Sequence, residues 1–70
     1  MKLSARNVLE GKVVSVKEGP VSTEVTIELP CGTQVVSSIT SASAKSLGLE
    51  VGKKAYAVIK ASNVMVGTDC

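Results

Sequence analysis

The chain has no histidine, no phenylalanine and no tryptophan, and Tyr56 is its one aromatic residue. Without histidine there is no imidazole base and no imidazole metal ligand. The six acidic residues fall mostly at strand-surface or turn positions. Cys31 sits in a turn with no evident base beside it. The paired groups that acid–base or nucleophilic catalysis requires are missing, so an enzyme is not expected. One tyrosine cannot build the stacking platform of a single-strand nucleic-acid binder. A net charge of +2, evenly spread, also lacks the dense basic face of a dedicated one. No apolar run approaches the ~20 residues of a membrane-crossing helix. The first residues lack the apolar centre of a secretion signal.

Cysteine is nearly as scarce. Cys31 and Cys70 are the two present, with no metal-ligand spacing between them, and both are read as free thiols in a reducing cytoplasm. Seventy residues allow one small domain, taken here as residues 1–70. A chain of this size buries only ~60% of its unfolded surface, and its core must be made without large aromatics. Oligomerisation is the expected support.

What is present in quantity is Val, Ile and Thr, the strand formers. "VLEGKVVSVK" (Val8 to Lys17) reads as a first strand with Gly11 as a bulge or bend. In "TEVTIEL" (Thr23 to Leu29), Val25, Ile27 and Leu29 share one face, the alternation of a half-buried strand. "QVVSSIT" (Gln34 to Thr40) is a third strand. "SASAKSLGL" (Ser41 to Leu49) reads as a two-turn helix, with Ser41 as N-cap and Gly48 as its left-handed stop. "AYAVIKA" (Ala55 to Ala61) and "NVMVG" (Asn63 to Gly67) are fourth and fifth strands. The expected fold is therefore all-β with one short helix, a five-stranded OB-type antiparallel barrel.

Three clusters are rich in short donors: Ser4-Ala5-Arg6-Asn7, Ile39-Thr40-Ser41-Ala42-Ser43 and Lys60-Ala61-Ser62-Asn63. An oxyanion offers acceptors alone, so it is met by hydroxyls, backbone N–H groups, Arg and Lys. The small residues beside each cation let the backbone come close. "SARNV" (Ser4 to Val8) and "KASNV" (Lys60 to Val64) repeat almost the same phrase near the two ends, which fits two strand ends converging on one anion. An OB-fold module for single-stranded nucleic acid is the alternative.

"SARNVLEGKVVSV", "SLGLEVGKKAYAVIKASNVMV" and the length resemble the molbindins, the cytoplasmic Mop proteins that bind molybdate and tungstate. That resemblance implies an OB-type fold and a homohexamer, a trimer of dimers, with molybdate or tungstate held at subunit interfaces for storage and homeostasis. It implies Ser4, Ala5, Arg6, Lys60, Ala61 and Ser62 as anion ligands from one subunit, and Thr40 and Ser43 from a neighbour. Ser41 and Ala42 depart from the Asn-Glu expected between those two. The family also holds a second class of anion on symmetry axes, for which the backbone donors of Val21 and Ser22 are the candidates. No nucleic acid, membrane or free metal cation is implied.

Overall fold

A computed structural model describes residues 3–69; the Cys70 reading lies outside them. Four strands and one helix follow in chain order: β1 (Asn7–Glu18), β2 (Ser22–Glu28), β3 (Gln34–Thr40), α1 (Ser41–Leu47) and β4 (Lys54–Ile59). All pairings are antiparallel, and the sheet order is β3-β2-β1-β4. The first and last strands are therefore neighbours, while β3 and β4 are the outer edges.

The alternation of β2 holds: Val25 and Ile27 are buried, and Leu29 packs beside them. Val13, Ala55 and Ala57 complete the buried cluster. Each fully buried valine contributes ~1.5 kcal/mol or more over its exposed state. In β1 the pairing slips between Val13 and Ser15, leaving Val14 as an extra residue. This bulge lets Val13 and Val16, three positions apart, both meet the core. Gly11, expected to be a bulge or bend, is not the bulge but a point of close approach. A Cβ there would lie 2.6 Å from the Glu28 carbonyl oxygen and 2.6 Å from Ile27 Cγ2.

The helix ends as expected. Gly48 adopts φ 63°, and its N–H and that of Leu49 close onto Lys45 and Ala44 carbonyls. Its start is shifted by one residue: Thr40, not Ser41, is the N-cap, accepting from the Ser43 N–H at 3.1 Å. The Ser41 hydroxyl is taken by another task. It donates to the Gly19 carbonyl at 2.6 Å and lies 2.8 Å from the hydroxyl of Thr23, which is 1% exposed. The Ser41 N–H also bonds the Val21 carbonyl at 2.8 Å. This pins α1 to the β1–β2 turn. Ser41→Ala would leave the part-buried Gly19 carbonyl and the buried Thr23 hydroxyl without this partner, at ~1–3 kcal/mol; thermal unfolding should show Tm lower by about 5–15 °C.

The fourth strand stops at Ile59, and Ala61–Asn63 form a single 3-10 turn. Residues 64–69 form no strand, so the expected fifth strand has no sheet partner within the described residues. An extended segment becomes a strand only when another edge accepts its backbone bonds. No helix among the described residues is long and apolar enough to cross a membrane. Cys31 is a free, exposed thiol. The Thr33 hydroxyl, then the Thr33 N–H, holds its pKa below the ordinary value.

Candidate functional site

Asn7 faces Ile59 on the last rung of the β1–β4 ladder. Arg6 lies just before that rung and Lys60 just after it. The two phrases read from the sequence are thus side by side. Ser4, Ala5, Arg6, Val58, Lys60, Ala61, Ser62 and Asn63 line a cleft of about 650 Å³. The 3-10 turn shapes one wall: Asn63 N–H bonds the Lys60 carbonyl at 2.8 Å, and Val64 N–H bonds that of Ala61 at 3.3 Å. On the opposite wall Ser4 and Ala5 keep the side-chain volume small.

Arg6 and Lys60 both line this cleft, and no acidic side chain is among its lining residues. The ion pairs among the described residues are Lys17–Glu24 and Lys54–Glu10, and neither involves Arg6 or Lys60. Lys54 is engaged elsewhere: Tyr56, then Glu10, raises its pKa. A cleft with unneutralised Arg and Lys, short hydroxyls and close backbone can receive an anion. Among the described residues, no group of His, Cys, Asp and Glu could hold a metal ion.

The other candidates lie at the far end of the sheet. Thr40 pairs with Ser22, and Thr23 with Glu18, at the opposite end of β1 from Asn7. The twelve residues of β1 extend ~36 Å at ~3.3 Å each. Thr40 and Ser43 form a ready pair, with the Thr40 hydroxyl donating to the Ser43 hydroxyl at 2.7 Å. They do not line the Arg6–Lys60 cleft of their own chain. Val21 and Ser22 sit beside them, where β2 starts and α1 is tied down. Val58 was not among the residues expected at the site. It stands on β4 two positions before Lys60, whose backbone is still extended, so period-two alternation carried one residue past the strand is the signal that points to it.

A curled antiparallel sheet, one helix and a cationic cleft where the outer strand meets the first define a small OB-like binding module. The TOBE domain pattern matches residues 3–66. The probable molybdenum-pterin-binding protein of Haemophilus influenzae is 52% identical over 69 residues, covering 99% of this chain and 100% of that protein. MopII from Clostridium pasteurianum superposes with a TM-score of 0.91 at 40% identity, over 96% of this chain and 100% of that one. The cytoplasmic molybdate-binding protein ModG, solved with molybdate bound, matches with a TM-score of 0.94 at 46% identity, over 99% of this chain and 49% of that one. The chain belongs to the TOBE domain family, and within it to the Mop proteins.

Proposed function

We propose that this protein binds molybdate, and tungstate with it, as a reversible cytoplasmic store. The observation that carries this reading is the cleft in which Arg6 and Lys60 stand together with no carboxylate partner among the described residues. A dianion entering it loses its water shell, and an unpaired buried charge is costly. Arg6 and Lys60 offset that charge, while Ser4, Ser62 and the backbone at Ala5 and Ala61 donate to the oxygens. The walls are small, which suits a tetrahedral anion larger than sulfate.

The H. influenzae relative is named for a molybdenum pterin. A pterin ring would want an aromatic face, and Tyr56 is not in the cleft lining. That favours the bare oxyanion. ModG, with molybdate bound, is consistent with it.

The anion is closed in by a neighbour. Thr40 and Ser43 stand a strand-length away from their own cleft, so they serve the cleft of another copy. Val21 and Ser22 offer backbone donors for a second anion on a symmetry axis. The assembly is a homohexamer, a trimer of dimers, of single domains over residues 1–70. An apolar groove of about 370 Å³ lies open between β3 and β4, lined in part by Ile39, Leu49, Tyr56 and Val58. Val64, Met65 and Val66 are exposed. The segment from Asn63 to Gly67 of a partner, laid in that groove, is the fifth strand of each barrel. Val58 borders groove and cleft alike, so the exchanged strand and the anion would sit together.

Calorimetric titration with molybdate in excess sulfate should give saturable heat, and added molybdate should raise Tm by mass action. No response would overturn the reading. Tight oligonucleotide binding without an oxyanion response would establish the nucleic-acid alternative. Native mass spectrometry showing monomer alone at micromolar concentration would overturn the shared site.

A further inference from the structure

We infer that Asn7 is a positioning residue for the cleft, locking the strand end from which Arg6 and Lys60 both project; this rests on the anion-binding reading above. Asn7 is half-buried and does not line the cleft. Its side-chain amide donates to the Ile59 carbonyl at 3.3 Å, joining residues 52 positions apart. Asn7 is the first residue of β1 and Ile59 the last of β4. Among the described residues it is the one side-chain hydrogen bond joining the two arms.

The arms differ in their own stiffness. The Lys60 arm is braced by the 3-10 turn. Among the described residues, Ser4, Ala5 and Arg6 make no backbone bond outside the sheet. Their position relative to Lys60 therefore depends on the end rung staying shut, and end rungs are where ladders open. Asparagine is a poor strand residue, so propensity gives no reason for it at this rung; the amide-to-carbonyl bond does. An anion needs Arg6 and Lys60 at once. If the rung opens, the competent fraction falls and the apparent Kd rises in proportion.

The test uses the full chain with sodium molybdate as probe. Asn7→Ala and Asn7→Leu should each weaken binding by about fivefold, the effect of one net hydrogen bond. Assembly size should stay the same. Amide exchange at Ala61 and Ser62 should quicken in the anion-free variants and slow again at saturation. Val16→Ala, at the other end of β1, should lower Tm without weakening binding. If Asn7→Leu binds like the unsubstituted chain, packing suffices and the inference is overturned. It is overturned too if the Asn7 variants lose Tm but keep their affinity. Failure of the unsubstituted chain to bind molybdate overturns the anion reading itself, a result distinct from these two.

Discussion

Arg6→Ala and Lys60→Ala should each weaken molybdate binding by at least about thirtyfold. The size of the effect carries the information. Truncating one partner of a desolvated, hydrogen-bonded charge pair costs about 2–5 kcal/mol, or from thirtyfold to several thousandfold. An exposed pair in water is worth only about 0.2–1 kcal/mol, a factor of about five at most. Both Arg6 and Lys60 are exposed in the single chain. A large loss therefore means that a second copy has shut water out. A loss below about fivefold would mean an open site on one subunit and would sink the interface model. Arg6→Lys separates charge from shape: it keeps the cation but loses the planar fork that grips two oxygens, so it should fall between the two. The double variant should lose less than the sum of the singles, because both act on one anion. Titration calorimetry at two salt concentrations reads all four.

Gly11 is the one glycine within the described strands, and Gly11→Ala should destabilise the fold strongly. The new Cβ would meet the Glu28 carbonyl oxygen at 2.6 Å, its carbon at 3.1 Å and Ile27 Cγ2 at 2.6 Å. Two of these are backbone atoms and cannot swing away as a long side chain would. Ile27 is itself buried in the core, so movement there disturbs Val13 opposite. Overpacking costs about 1–3 kcal/mol, and more where backbone must shift. For a domain of this size that lowers Tm by about 15 °C or prevents folding. An unchanged Tm for Gly11→Ala in thermal unfolding would show that β1 and β2 do not cross so closely at Gly11.

The strands and the helix stop were legible because their causes are local. Val25 and Ile27 alternate because one face of β2 is buried, and Gly48 ends α1 because it takes a left-handed φ. The N-cap is Thr40 rather than the expected Ser41 for a reason outside the helix. Thr40 and Ser41 are both good caps, and the choice was made by the Gly19 carbonyl and Thr23, some twenty residues earlier in the chain. Glycine within a strand pattern signals a bulge, a bend or a close approach alike, and Gly11 is the last of these. The extra residue is Val14, placed by the need to turn both Val13 and Val16 inward. "NVMVG" alternates like a strand, yet alternation cannot say which chain will pair with it. The convergence of "SARNV" and "KASNV" was readable from composition and repetition. The distance of Thr40 and Ser43 from that cleft was not, since it depends on the length of β1 and on the sheet order.

The pairing of β1 with β4 sets the order of events during synthesis. Three strands and the helix are complete by Leu47. A ribosome that had released only that much would hold a hairpin sheet with its helix docked, but no cleft. Arg6 would wait, with half a countercharge, until Lys54 to Lys60 emerged and closed against the first strand. Contacts at such sequence separation are the slowest to form. The Arg6–Lys60 cleft is thus the last part of the described fold to close, and a stalled or clipped product ending before the fourth strand would lack it.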